Sequence, residues 1–208
     1  MKILPQENLN ITSLTQALRD GSTLVYPTET CYGLGCDATN LEAVEKIFNI
    51  KQRQKDKPVL VLMADIAMAM EYIEWDETIQ SLADKYWPGP LTIVARKKQK
   101  DMFASGVVGP RGMVAFRVTS HPVAQEIVST LGKPLVSTSA NIASHESPYD
   151  IDDVLRMFEG QPYQPDIVID AGQLRHKAPS TIVKILENGT VEVLREGEVV
   201  ISPLISGK

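Results

Sequence analysis

Pro58-Val59-Leu60-Val61-Leu62-Met63 is an unbroken apolar run, and its reading decides the class of fold. A strand that is apolar at every position is buried on both faces. Such strands belong to sheets covered by helices. The flanking sequence supplies those helices. Upstream, Asn40 can cap a helix through Ile50 with Ala43, Val44, Ile47 and Phe48 on one face. Downstream, Asp76 can cap another through Trp87, which Pro88-Gly89-Pro90 ends.

The alternation of helix and strand continues outward. Residues 11–19 read as a short amphipathic helix with Leu14, Ala17 and Leu18 on one side, stopped by Gly21. Residues 23–26 form a strand ended by Pro27, and the stretch to Gly35 reads as the loop that follows it. Further strands are expected over 91–95, 113–118, 134–137 and 166–169. Helices are expected from His121-Pro122 to Leu131, closed by Gly132, and over 150–159. Residues 180–186 and 190–195 flank Asn188-Gly189, a strong hairpin signal. The expectation is one α/β domain with an open, twisted, mixed sheet flanked by helices.

Bulk properties narrow the function. A chain of 208 residues, 43% of them apolar, can bury a substantial core as one domain. A net charge of −5 means that any RNA contact would have to come from a local basic patch. Cys31 and Cys36 have no second pair, which supports neither a disulfide framework nor a metal site. The N-terminal apolar run is too short for a signal peptide, and no window approaches the roughly 18 apolar residues of a membrane span. A reduced, cytoplasmic protein is expected.

The polar chemistry concentrates in a few stretches. Lys51 and Arg53 fall at the end of the Asn40 helix, where cations complement the helix dipole. Lys55 and Lys57 follow at once, and the chain then enters the apolar strand. Four cations at the mouth of a buried strand can clamp phosphate oxygens, with arginine supplying a bidentate fork. No GxxxxGK[ST] occurs, so this is not a P-loop.

Ser137-Thr138-Ser139-Ala140-Asn141 follows the strand that begins at Pro134. Its hydroxyls and amide either cap a turn or line a ligand site at the carboxyl end of the sheet. Arg117 interrupts the apolar Ala115-Phe116-Arg117-Val118. It needs a core carboxylate or a substrate carboxylate as partner. His121 reads as helix-start chemistry, His176 as surface, and Trp75 and Trp87 as packing. The run Arg96-Lys97-Lys98-Gln99-Lys100-Asp101 reads as a solvated loop.

YPTETCYGLGCDA (26–38), KQR (51–53), AFRVTSHP (115–122), GKPLVSTSAN (132–141), PSTIV (179–183) and VLREG (193–197) resemble, in order, the short form of the YrdC family of threonylcarbamoyl-AMP synthases. The likeness runs over about residues 10–200 and leaves 201–208 as a tail. It implies condensation of L-threonine, bicarbonate and ATP to threonylcarbamoyl-AMP and pyrophosphate, with Mg²⁺ accompanying ATP. The product would feed N6-threonylcarbamoyladenosine formation at position 37 of tRNA through partner proteins.

By position, the resemblance puts Thr30, Arg117, Ser137 and Ser180 at threonine, Arg117 receiving its carboxylate. It puts Lys51 and Arg53 at the ATP phosphates as the catalytic pair. Lys57, Met113, Ser139, Asn141, Ser147 and Arg195 become further nucleotide contacts. No resident metal is implied.

Three departures stand out. Leu62 lies where many members carry a threonine-contacting His, Gln54 replaces the usual Pro after the KxR, and the Ser147 loop differs from the usual SG-x-P wording. With no evident His or Cys nucleophile, the expected mechanism is positioning and charge neutralisation. The alternative is a divergent paralogue that binds double-stranded RNA or tRNA through Lys51, Arg53, Lys55, Lys57 and the 96–100 run.

Overall fold

A computed structural model describes residues 1–54, 56–99 and 102–201. In chain order the elements are β1 (Lys2–Pro5), α1 (Ile11–Arg19), β2 (Leu24–Pro27), β3 (Tyr32–Gly35), α2 (Leu41–Lys51), β4 (Val61–Met63), α3 (Ile66–Tyr72) and α4 (Glu77–Tyr86). They continue with β5 (Leu91–Arg96), β6 (Met113–Val118), α5 (Pro122–Leu131), β7 (Leu135–Val136), β8 (Thr138–Ser139), α6 (Ile151–Phe158), β9 (Ile167–Asp170), β10 (Thr181–Ile185) and β11 (Val191–Arg195). No helix among the described residues is long and apolar enough to cross a membrane.

The α/β class and the mixed pairing are as expected, but the strands divide between two sheets instead of one. A five-stranded sheet runs β1-β9-β2-β3-β8, and a six-stranded sheet runs β11-β10-β5-β6-β4-β7. Residues 59–63 account for the division of the core. Val59, Val61 and Met63 point into one apolar cluster, with Ile47, Phe48, Ile93 and Phe116. Leu60 and Leu62 point into the other, with Leu18, Tyr26, Ile127 and Leu135. Side chains alternate across a strand, so a run with cores on both faces must be apolar throughout.

The helices begin where their caps predict. Asn40 and Asp76 accept from the backbone N–H groups of Ala43 and Ile79, at 3.0 and 2.7 Å. Pro122 opens α5, Gly132 closes it in the left-handed region (φ 69°), and Ala124, Ile127, Val128 and Leu131 form its buried face. Arg19, in the last turn of α1, donates to the Thr130 and Leu131 carbonyls at 2.7 and 3.1 Å, fastening α1 to the end of α5.

The stretch read as loop after Pro27 contains β3, which pairs antiparallel with β2 and β8. β1, α3 and β8 are additional elements. The two sheets meet beside β3. Val136 N–H donates to the Cys36 carbonyl at 2.8 Å, and Ala38 N–H to the Pro134 carbonyl at 3.0 Å. Residues 135–139 then change sheets. Leu135 and Val136 pair with β4, and Thr138 and Ser139 pair with β3. At this seam a Cβ on Gly35 would lie 2.0 Å from the Val136 carbonyl oxygen, a contact with backbone that no rotamer relieves.

Gly35→Ala is therefore expected to lower stability by about 2–3 kcal/mol, the upper range for overpacking. Gly132→Ala, with nothing within 4 Å of its Cβ, meets only left-handed strain of about 1 kcal/mol. Urea denaturation of both variants checks the order; equal losses would contradict the tight contact at the seam.

Candidate active site

The seam leaves Ser137 between two ladders, its N–H donating to the Leu60 carbonyl at 2.9 Å. A cavity of about 310 Å³ opens at this point. Its lining brings together Thr30, Arg53, Arg117, Ser137, Ser139, Ser147, Ser180 and Arg195 from across the chain. A cleft of about 540 Å³ shares Arg53 and Ser139 with it and adds Lys51, Lys57 and Asn141. Met113 lines a third, mainly apolar cleft of about 700 Å³, which shares Pro58 and Ala115 with the first. All the residues expected at the site thus lie in three contiguous spaces.

α2 stops at Lys51 because Gln52 turns left-handed (φ 49°), and the Gln52 and Arg53 N–H groups close on the Asn49 and Phe48 carbonyls. The turn sends Lys51 inward, where it is 2% exposed. Its Nζ donates to the Ser139 carbonyl (2.6 Å), the Asn141 carbonyl (2.8 Å) and Asn141 Oδ1 (2.9 Å). Ser139 Oγ donates to the same Oδ1 at 2.7 Å, and Asn141 Nδ2 donates to the His145 carbonyl.

Burial pushes the Lys51 ammonium down to about 7, the nearby Arg53 guanidinium adds to the shift, and Cys31 opposes it. Three acceptors at 2.6–2.9 Å favour the charged form. Lys51, read from the sequence as one of four cations at the mouth of the strand, has its Nζ turned inward onto residues 139–141. It is an internal tether that joins the KxR and SxN segments.

Arg53 is half-buried and donates from Nε to the Lys57 carbonyl (3.0 Å) and from Nη2 to the Pro58 carbonyl (3.1 Å). Burial lowers its pKa, with Asp56 opposing. Lys57 is exposed at the cleft. Lys55, Lys100 and Asp101 lie outside the described residues. Arg96 is half exposed and lies 3.1 Å from Glu187 and 4.0 Å from Glu74.

Of the two partners posed for Arg117, the structure shows the core carboxylate. The arginine meets a buried carboxylate, with Nη1 3.5 Å from Glu29 Oε1, and it also lines the cavity. Glu29 sits in the turn after β2, fixed by Thr119 Oγ1 donating to Oε2 at 2.6 Å. Thr28 organises the same turn, its hydroxyl donating to the Cys31 carbonyl at 2.7 Å and lying 3.1 Å from Thr30 Oγ1. His121 occupies the position before α5, but its side chain caps nothing. Burial lowers its pKa, and the facing Glu29 opposes that.

Ser180 and Arg195 act together. Arg195 donates to the Ser180 carbonyl from Nε (3.1 Å) and Nη2 (2.7 Å), and Nη2 also reaches Ser180 Oγ at 3.1 Å. Ser180 Oγ is 3.0 Å from Thr92 Oγ1. Burial, then Arg117, lowers the Arg195 pKa. Burial raises the Cys31 thiol, while Thr30 and Ser147 hydrogen bonds pull it back. Tyr149 forms another part of the wall, with its ring stacked on His176 at 3.6 Å between centroids. Trp75 and Trp87 pack around Phe116, as expected.

Leu62 is fully buried among Leu18, Ile127 and Leu135, not in the cavity. Leu60, two residues earlier on the same face, is the one that reaches the lining. The sequence reading missed Glu29, Thr119 and Tyr149 as parts of the site. Only the placement of Glu29 within the PTET segment could have pointed to one of them. No group of three or more His, Cys, Asp or Glu side chains among the described residues could hold a metal ion.

Residues 16–197 match the Sua5/YciO/YrdC domain family, described as telomere recombination. The chain belongs to this family. A threonylcarbamoyl-AMP synthase of Vibrio vulnificus (strain YJ016) is 34% identical over 194 residues, which is 90% of this chain and 98% of the relative. P. abyssi Sua5 complexed with L-threonine is 30% identical and superposes with a TM-score of 0.82 over 94% of this chain, which spans 57% of that protein. E. coli YciO is 26% identical with a TM-score of 0.79, covering 94% of each chain.

The tether predicts a measurable coupling. Lys51→Met leaves three acceptors without their donor, and Asn141→Ala removes one of those acceptors. Their combined loss of stability in urea should differ from the sum of the single losses by about 1–3 kcal/mol. Additive losses would contradict a shared network.

Proposed function

We propose that this chain is an L-threonylcarbamoyladenylate synthase. The observation that carries the reading is the meeting of Arg117 with the hydroxyls of Thr30, Ser137 and Ser180, in a cavity that Arg53 and Arg195 border on the nucleotide side. An amino-acid carboxylate needs a cation that is not already saturated, and Arg117 lines the cavity while Glu29 stands off at 3.5 Å. Hydroxyls beside it can read a β-hydroxyl, which excludes an apolar isostere such as valine more strongly than shape does. The likeness to named threonylcarbamoyl-AMP synthases and to a threonine-bound Sua5 supports the same assignment.

In the reaction, the deprotonated threonine amine attacks bicarbonate carbon, and loss of water leaves an N-carboxylate. One oxygen of that carbamate attacks the α-phosphorus of ATP, and the bond to the bridging oxygen breaks to release pyrophosphate. The chain supplies position and charge. Arg117 holds the threonine carboxylate. Arg53 and Arg195 oppose the phosphate charge, with Lys57 at the cleft mouth, and the Lys51 tether presents Ser139 and Asn141. The apolar cleft at Met113 suits a purine base, and Ser147 lines the first cavity. Among the described residues, no carboxylate lines the cavity or the adjoining 540 Å³ cleft. Mg²⁺ belongs to the ATP phosphates in this reading. The product would pass to partner proteins that modify adenosine 37 of tRNA.

Pyrophosphate release from ATP is expected to require both L-threonine and bicarbonate, and to fall at least about a hundredfold in Arg53→Ala. Absence of release with any amino acid, from folded protein, would overturn the assignment.

A further inference from the structure

The three buried side-chain polar atoms left without a hydrogen-bond partner among the described residues are Glu29 Oε1, Arg117 Nε and His121 Nδ1. They belong to neighbouring residues: Glu29 Oε1 is 3.5 Å from Arg117 Nη1, and Thr119 bonds both Glu29 and the His121 backbone. Buried polar groups are nearly always satisfied, so such a concentration calls for a reason. Glu29 is close enough to grip Arg117, yet it does so with one oxygen at 3.5 Å, while its other oxygen is taken by Thr119 at 2.6 Å. The Thr119 hydroxyl is itself aimed. It accepts the His121 backbone N–H at 3.2 Å, which leaves its own hydrogen for Glu29 Oε2. Thr119 is completely buried and does not line the cavity.

We infer that Thr119 is a positioning residue that keeps Arg117 available to a substrate carboxylate. A carboxylate with both oxygens free would close on the guanidinium bidentately, the strongest geometry open to this pair. The Arg117 donors would then face Glu29 instead of the cavity. By holding one oxygen back, Thr119 limits Glu29 to neutralising the arginine without saturating it. The Arg117 fork stays under-coordinated until an anionic ligand arrives. The inference rests on Arg117 being the carboxylate receptor of the proposed function.

The test is calorimetric titration of L-threonine and of L-threoninamide, which lacks the carboxylate, into the wild-type chain, Thr119→Val and Thr119→Ser. Wild type should prefer threonine to the amide. Thr119→Val, nearly isosteric, should lose at least about tenfold in threonine affinity, the worth of one charge-assisted hydrogen bond, with little change for the amide. Its urea midpoint should not fall in proportion, because Glu29 gains a closer grip on Arg117. Thr119→Ser should restore the preference. Unchanged discrimination in Thr119→Val, in the presence of a clear wild-type preference, overturns the inference and leaves the proposed function standing. A wild type that does not discriminate, or binds neither ligand, overturns the receptor reading of Arg117 and the inference with it.

Discussion

Lys51 is a cation almost wholly removed from water, and its three hydrogen bonds run to one short segment, residues 139–141. That segment follows Ser137, where the chain passes from one sheet to the other. Stranding an ammonium in a protein interior costs several kcal/mol, so the geometry persists only because every N–H is matched. Removing either side leaves the other uncompensated. The fold and the site therefore constrain one another. The left-handed turn at Gln52 aims the lysine, the lysine fixes Ser139 and Asn141, and these two face the cleft shared with Arg53.

A second balance operates at Arg117. At 3.5 Å and an effective dielectric near 20, the Glu29–Arg117 attraction is about 4–5 kcal/mol, comparable with the penalty for burying the two charges. The pair thus adds little net stability. Its effect is on placement: a buried cation that is electrically balanced yet short of hydrogen bonds. Arg195, held by Ser180, and Arg53, held by the Lys57 and Pro58 carbonyls, are similarly fixed before any ligand arrives. Cations pinned in this way need little reorganisation when an anion approaches.

Much of this was legible in the sequence where the signals are local. Asn40 and Asp76 mark helix starts, Gly132 marks a helix end, Asn188-Gly189 marks a hairpin, and residues 59–63 announce two cores. β3 was not legible. Gly33 and Gly35 weaken a strand signal, yet glycine is needed at position 35 because the Val136 backbone approaches there. The split into two sheets depends on residues 135–139 pairing with partners about 75 and 105 residues upstream, which no periodicity encodes. Arg117 was legible as a residue needing a partner, but Glu29 as that partner was not. Lys51 was legible as a cation at a helix end, but its inward course follows from the left-handed Gln52, which no local signal marks.

The most direct test of the tether is a crystal structure of Lys51→Met. Both sheets are expected to keep their registers while residues 139–141 shift by about 1 Å or more, a displacement large enough to misplace reacting groups. In that structure the Ser139 Oγ contact with Asn141 Oδ1 would be lost. A segment that superposes on the wild type, with that contact intact, would show that Lys51 does not hold the site together.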